Sequence, residues 1–261
     1  MIKVSNLKKS YMVKGSKKSP FSLKNDRKIA VKDVSFECLS GQCTALIGPN
    51  GAGKTTTLLN ILGLAKSDGG TIEFKSNAQK QSLSYKQLYR SLGFFSGHSK
   101  LEFGCSVKTM LEYYMNIYNT NNTKNVKDLV EKSIAKFELE EFAQRPCYSL
   151  SSGQKTLAHF ARANIHEPIF LILDEPTAFT DPYISQKIVE QLNSLKKLGT
   201  TMLITSHNMS EVKNVADKIV FIKDGATINE VGADAPSLLA KFGTDDLEKI
   251  WLDQFKLGGE K

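Results

Sequence analysis

The sequence has no long apolar run. The longest uninterrupted one, Ile169 to Leu173, falls far short of the roughly 20 residues that span a bilayer, so no transmembrane helix is expected. Met1 to Ser10 alternates polar and apolar residues without an apolar core, and no signal peptide is predicted there. Cysteine is scarce. The four residues (Cys38, Cys43, Cys105, Cys147) show neither a CxxC pair nor metal-like spacing, which argues against a zinc site and predicts reduced core thiols in a cytosolic protein. There is no internal repeat and no heptad array, which leaves out solenoids and coiled coils. Net charge is also nearly absent from most of the chain. Residues 1–32 hold ten basic side chains and one acid, Asp26, whereas the other residues hold 25 basic and 26 acidic ones. The overall +8 is therefore a basic N-terminal segment on a neutral body. A charge so localised speaks against a nucleic-acid-binding domain, and no nucleic acid partner is expected.

What is present is an ordinary globular composition, 41% hydrophobic and 24% charged over 261 residues, enough to bury a sizeable core. Short alternating segments begin at Ile2 and Ile29, and Val34–Cys38 alternates with period two. Between them Lys14–Lys28 is rich in Lys and Ser, with Gly15 and Pro20, and reads as a basic loop or long hairpin tip. Thr44–Ile47 predicts a short strand and Gly53 opens a helix. Residues 105–145 carry helical spacing, broken by an Asn-rich turn at Asn119–Asn125. Beyond Pro168 the pattern alternates again: strand Ile169–Leu173, helix Tyr183–Lys197, strand Thr201–Thr205, helix Met209–Ala216, strand Lys218–Ile222, then a short helical tail from about 234. Strands alternating with helices predict a parallel sheet wrapped by helices.

Gly48-Pro49-Asn50-Gly51-Ala52-Gly53-Lys54-Thr55, followed by Thr56, satisfies GxxxxGK[ST] between a predicted strand and a predicted helix. Glycines there let backbone N–H groups turn inward around a β-phosphate, and the helix N-terminus adds partial positive charge. Lys54 would neutralise β- and γ-phosphate oxygens, and the Thr55 hydroxyl is a hard ligand for Mg²⁺. Phe170–Glu175 is an apolar strand ending in two carboxylates. Asp174 would hold Mg²⁺, directly or through water, and Glu175 would polarise an attacking water.

With these motifs in place the chain resembles the ATP-binding subunit of ABC transporters over about residues 1–232. Leu150-Ser151-Ser152-Gly153-Gln154 resembles the family signature Leu-Ser-Gly-Gly-Gln and lies 20 residues before Asp174. Asp174-Glu175-Pro176-Thr177 matches the extended Walker B motif, Asp181-Pro182 the end of the D-loop, and Thr205-Ser206-His207 the switch histidine. Tyr11 stands where the family places an adenine-stacking ring. The resemblance implies a head-to-tail dimer with two ATP molecules between the subunits. Ser151, Ser152, Gly153 and Gln154 would act in trans on the partner's nucleotide, and His207 would contact the γ-phosphate in cis. It also implies separate integral membrane subunits, a second ATP-binding subunit (the same chain or another), ATP and Mg²⁺ as cofactors, and a place on the inner face of the cell membrane. His98, His159 and His166 have no such context and are expected to be structural or exposed.

The sequence departs from the family in four places. Gly97, in Arg90–His98, stands where a Gln usually ligates Mg²⁺; a Ser-Gly pair there resembles a branch of ABC-2 and sodium-efflux-type exporters. Ser152 replaces a Gly, Leu157 a basic residue, and Ala178-Phe179-Thr180 the usual Ser-Gly-Leu. Lys54, Thr55, Asp174, Glu175 and His207, which act in cis, are intact. ATP hydrolysis with atypical interface coupling is therefore expected, with either an identical or a non-identical ATPase partner. The function read here is an ATPase that powers export through a membrane partner. The alternative is a soluble ABC ATPase serving a cytosolic assembly such as an iron–sulfur scaffold. The expected fold is α/β: a P-loop core with a mostly parallel sheet, an N-terminal antiparallel portion and a helical subdomain at about 93–165. The cassette would span 1–233 and a short helical tail 234–261. For the basic segment, a solvated loop competes with contact to anionic lipid headgroups or an acidic partner loop.

Overall fold

The computed structural model describes residues 1–13, 26–75, 83, 85–97, 104–118, 125–178 and 180–255. In chain order the elements are β1 (Ile2–Val13), β2 (Asp26–Cys38), β3 (Cys43–Ile47), α1 (Lys54–Ile61), β4 (Gly69–Phe74), α2 (Tyr85–Ser91), β5 (Leu92–Ser96), α3 (Val107–Tyr118) and α4 (Val126–Lys136). There follow α5 (Ser152–Asn164), β6 (Phe170–Asp174), α6 (Pro182–Lys197), β7 (Thr201–Thr205), α7 (Met209–Val215), β8 (Lys218–Lys223), β9 (Ala226–Gly232), α8 (Ala235–Phe242) and α9 (Leu247–Phe255). The nine strands form one sheet in the order β4-β1-β2-β9-β8-β3-β7-β6-β5. Pairing is parallel from β8 through β3, β7 and β6 to β5 and between β2 and β9, and antiparallel for β4–β1, β1–β2 and β8–β9. The sheet is thus mostly parallel with an antiparallel N-terminal portion.

Every residue of β3, β6 and β7 is buried, as expected where helices cover both faces of a parallel sheet. The period of two divides their side chains between two cores. Leu46, Phe170, Ile172, Leu203 and Val220 meet Leu58 and Ile61 of α1 on one face. Ala45, Leu171, Leu173, Met202, Ile204 and Phe221 lie on the other with α5, α6 and α7. Asp181 caps α6 by accepting the Ile184 N–H at 3.0 Å, with Pro182 in the first turn.

The helical subdomain does not begin at residue 93, because Leu92–Ser96 is β5, an edge strand of the main sheet in register with β6. Its helices α3, α4 and α5 share one core with the sheet. The C-terminal tail is two helices whose Leu238, Leu247, Ile250 and Phe255 join that same core. Strands β4 and β9 carry no sequence expectation. β4 opens on Gly69-Gly70 and β9 is only partly buried, so neither has the apolar contrast that marks a strand. Most of the basic insertion, Lys14–Asn25, lies outside the described residues, as do His98 and Phe179.

The four cysteines are free; Cys38, Cys43 and Cys147 are buried and Cys105 is half-buried. Burial pushes the Cys38 thiol up to about 12 and Cys147 to about 11, which leaves them as inert thiols. His159 and His166 are structural. The His159 Nε2 accepts from Arg162, and burial together with that guanidinium brings its pKa down to about 3. His166 stacks on Tyr118 at 3.7 Å and donates to Leu92 O at 3.1 Å. Its Nδ1 has no hydrogen-bond partner among the described residues, and burial brings its pKa to about 4.

Both histidines fold neutral, so the unfolded chain binds more protons below its ordinary histidine pKa of 6.5. Stability is therefore expected to fall as pH drops below about 6.5, by about 1.4 kcal/mol per pH unit for each histidine until its folded pKa is passed. Thermal unfolding from pH 7 to pH 5 checks this. His166→Phe, which keeps the stack and cannot protonate, should show a shallower fall than the unaltered chain.

Candidate nucleotide-binding and hydrolysis site

β3 delivers the chain into the Gly48–Gly53 loop at the C-terminal edge of the sheet, and α1 starts immediately after Gly53. Gly48 is forced by packing: a Cβ there would stand 2.2 Å from the Ile222 carbonyl oxygen of β8. The loop closes through Ala52 N–H to Pro49 O at 3.1 Å, and Gly225 N–H donates to Ala52 O at 3.0 Å, tying it to the β8–β9 turn. Lys54 is buried and donates from Nζ to Gly48 O at 2.7 Å and Pro49 O at 3.2 Å. Burial lowers its pKa, with the Glu175 and Asp174 carboxylates opposing that. Pro49, Asn50, Gly51 and Ala52 form the loop's outer turn, and Thr55 and Thr56 lie in the first turn of α1.

Parallel pairing of β6 and β7 sets Asp174 beside Thr205. Thr205 Oγ1 donates to Asp174 Oδ1 at 2.6 Å, and Thr55 Oγ1 lies 3.4 Å from Asp174 Oδ2. Thr55 and Asp174 thus present two hard oxygens together, a donor set suited to Mg²⁺. The next residue, Glu175, has φ 51°, an uncommon left-handed conformation for a non-glycine residue. It is held there by its N–H, which donates to Thr205 O at 3.0 Å and to Thr205 Oγ1 at 3.1 Å. The turn brings Glu175 Oε2 to 2.7 Å from His207 Nε2. The carboxylate is largely covered, and the imidazole is half exposed.

Gly97 follows β5. Its N–H donates to Asp174 O at 2.9 Å, and a Cβ at this position would come within 2.2 Å of Glu175 O. The residue that departs from the family is therefore packed directly against the backbone of Glu175.

Lys54, Thr55, Asp174, Glu175 and His207 converge as the sequence suggests. Tyr11 does not touch them. It lies on β1 opposite Lys28, 40% exposed, with Lys9 Nζ 5.2 Å from its ring centroid. It reaches the loop only through the neighbouring strand, whose Ala30 carbonyl lies 2.6 Å from where a Gly53 Cβ would be. The signature forms a separate feature, the N-terminus of α5. Ser151 Oγ accepts the Gln154 N–H at 3.2 Å, and Gln154 Oε1 accepts the Ser151 N–H at 3.1 Å, a capping box. The Ser151 hydroxyl hydrogen remains available to an outside acceptor. Gly153 is buried against Ile184 and Asp181, while Ser152 is exposed. Leu157, in place of a basic residue, faces the core.

Two further residues shape the site without a motif to mark them: Thr205, which holds both Asp174 and Glu175, and Glu211, a buried carboxyl beneath the His207 loop. A threonine ending an otherwise apolar strand beside Asp174 was the available signal for the first. Nothing local marks the second.

Residues 31–178 match the ABC transporter family. A probable ABC transporter ATP-binding protein of Azorhizobium caulinodans is 30% identical over 228 residues, 87% of this chain and 79% of that relative. The Nod factor export ATP-binding protein I of Burkholderia orbicola is 33% identical over 221 residues, 85% and 71% of the two chains. Among solved structures, cbiO1 of Clostridium perfringens, part of the ABC transporter complex cbiONQ, superposes with a TM-score of 0.71 at 25% identity, covering 98% of this chain and 95% of that one. The ATP-binding cassette MJ0796, solved as a post-hydrolysis dimer bound to ADP and Pi, gives a TM-score of 0.73 at 23% identity over 89% and 98% of the chains and shares the fold. A glycine-rich loop after β3, a buried acidic strand end and His207 converge here on the cassette fold; the chain belongs to the ABC transporter family, as an ATP-binding and ATP-hydrolysing subunit.

Proposed function

We propose that this chain powers export through a separate membrane-spanning partner, with hydrolysis carried out by Glu175 and His207. The observation that carries the site reading is the 2.7 Å contact between Glu175 Oε2 and His207 Nε2 beside the Thr55–Asp174 oxygen pair. ATP lies along Gly48–Thr56, its β- and γ-phosphates on Lys54 and the loop's N–H groups, its adenine against Tyr11. Thr55 and Asp174 would hold Mg²⁺, which supplies charge neutralisation of the phosphates. Glu175 orients a water and accepts its proton as the oxygen attacks the γ-phosphorus. The bond to the β–γ bridging oxygen breaks, and ADP and inorganic phosphate result. His207 holds Glu175 at one nitrogen and positions the γ-phosphate. Ser151, Ser152, Gly153 and Gln154 complete the nucleotide site of a second ATP-binding subunit, where the α5 N-terminus offers its first-turn N–H groups.

The chain works as a peripheral subunit on the cytoplasmic face of the membrane, with residues 1–233 as the cassette and 234–261 as its tail. No helix among the described residues is long and apolar enough to cross a membrane. Export is favoured by relatives named for Nod factor export. Affinity isolation of the tagged chain from its own cells tests this. Recovery with a polypeptide bearing transmembrane helices is expected; recovery only with a cytosolic iron–sulfur assembly would overturn it.

The basic segment is proposed to contact anionic headgroups, at about 1 kcal/mol per well-placed lysine. Neutral replacement of Lys14, Lys17, Lys18, Lys24 and Lys28 should abolish salt-sensitive sedimentation with phosphatidylglycerol vesicles. Unchanged sedimentation would remove the idea.

A further inference from the structure

Glu211 is 3% exposed on α7, four residues beyond His207. Its Oε2 accepts from the Ser206 hydroxyl. Ser206 Oγ in turn accepts the Asn208 N–H at 3.0 Å, so the two residues flanking His207 are tied to each other and to Glu211. Asn208 Oδ1 closes the loop from the other side by accepting the Ser210 and Glu211 N–H groups at 3.1 and 3.2 Å. Thr177 lines the same cleft as Asn208 and Glu211. Thr177 is two residues past Glu175, in the turn that Ala178 N–H closes onto Glu175 O at 3.1 Å.

We infer that Glu211 is a positioning residue for hydrolysis: a buried hydrogen-bond acceptor that latches the His207 loop to α7 through Ser206, in the cleft that Thr177 of the Glu175 turn also lines, and so sets the Glu175–His207 contact. The inference rests on the reading of Glu175 and His207 as the hydrolytic pair. A carboxyl in this place is costly unless it has such a task. Burial pushes its pKa up to about 7, with the Ser206 and Thr177 hydroxyls pulling it down and the Glu175 charge adding to the rise. Its Oε1 has no hydrogen-bond partner among the described residues. A core that needed only volume at this position would be served by an apolar side chain.

The role is that of an acceptor, so the discriminating comparison is Glu211→Gln against Glu211→Met in the full chain, purified with its membrane partner. Gln keeps an oxygen for Ser206; Met keeps length and volume without one. Glu211→Met is expected to lower kcat for ATP hydrolysis about tenfold or more, because small misplacement of reacting groups is amplified in the rate. KM for ATP should stay within about threefold, since the phosphate loop is untouched, and Glu211→Gln should keep at least about half of the kcat. Ser206→Ala, a smaller change that keeps the fold even if Glu211→Met does not, should lower kcat in the same way. Combined with Glu211→Gln it should add no more than Ser206→Ala alone, as for residues acting in one chain of contacts. Hydrolysis unchanged in Ser206→Ala and Glu211→Met, or equal losses in the Gln and Met variants, would overturn the inference. A parallel Glu175→Gln sample separates the two levels. If that variant still hydrolyses ATP, the reading of the pair has failed; if it does not and the Glu211 results go the wrong way, only the positioning role has.

Discussion

Replacing Gly97 with glutamine, the residue the family usually carries at this position, is expected to cost the protein its hydrolysis rather than improve it. The reason is steric and sits at the first side-chain atom. A Cβ on residue 97 would lie 2.2 Å from Glu175 O, a separation that no packed carbon and oxygen tolerate. Either the Gly97 N–H lets go of Asp174 O, now 2.9 Å away, or the Glu175 peptide moves. Glu175 is already in a left-handed conformation held by its bonds to Thr205, so a shift there displaces the carboxylate from His207. A displacement on the order of 1 Å in a reacting group costs about a hundredfold in rate. Gly97→Ala should lose nearly as much as Gly97→Gln, because the collision is made by Cβ and not by the amide. ATP binding, which depends on the loop across the sheet, should change little in both. Steady-state phosphate release and nucleotide titration on the same samples check both halves. Full activity in Gly97→Gln would show that the segment after β5 packs differently.

Lys54→Ala carries the other large effect. Lys54 is buried, and its ammonium bonds to two carbonyls of its own loop, Gly48 O and Pro49 O. Removing it deletes the cation proposed to meet the β- and γ-phosphates and also frees the loop that it bonds to. Hydrogen bonds to charged groups contribute about 1.5–3 kcal/mol each, so losing two lowers ATP affinity by about a hundredfold or more. Lys54→Arg should not restore it. The guanidinium is a wide planar fork and cannot replace a compact point charge in a pocket this closed. Titration with a fluorescent ATP analogue measures the effect directly; affinity within a few fold of the unaltered chain would place phosphate recognition elsewhere.

The parts of the site that the sequence exposed are those whose geometry is local. Gly48–Thr55 spans one turn between a strand and a helix, and its spacing alone dictates a phosphate cradle. Asp174 and Glu175 end a strand of unbroken apolar residues, and His207 follows the next. What stayed hidden depends on which strands become neighbours. Thr205 secures Asp174 only because β6 and β7 pair in parallel with those residues in register. Gly97 is required only because β5 ends against the Glu175 turn. Glu211 looks like a surface acid on a short helix until α7 folds it under the His207 loop. The helical subdomain expected from about residue 93 starts after a strand instead, for a related reason. Leu92–Ser96 has one glycine and mixed character, and its pairing with β6 makes it part of the sheet. Among the residues expected to bind nucleotide, Tyr11 on β1 and Ser151, Ser152, Gly153 and Gln154 at the start of α5 are those whose roles rest on family likeness alone.

The most direct test of the whole account is phosphate release from ATP and magnesium by Glu175→Gln beside the unaltered chain, with bound nucleotide measured in the same samples. Glutamine keeps the shape of Glu175 and can still meet His207, but cannot take the proton of an attacking water. The expected result is release at least about a hundredfold slower, with ATP still bound and held between two ATP-binding subunits. Release by Glu175→Gln at the rate of the unaltered chain would contradict the account at its centre, because the hydrolytic water would then be activated by a group other than the one that β6, Thr205 and His207 hold in place.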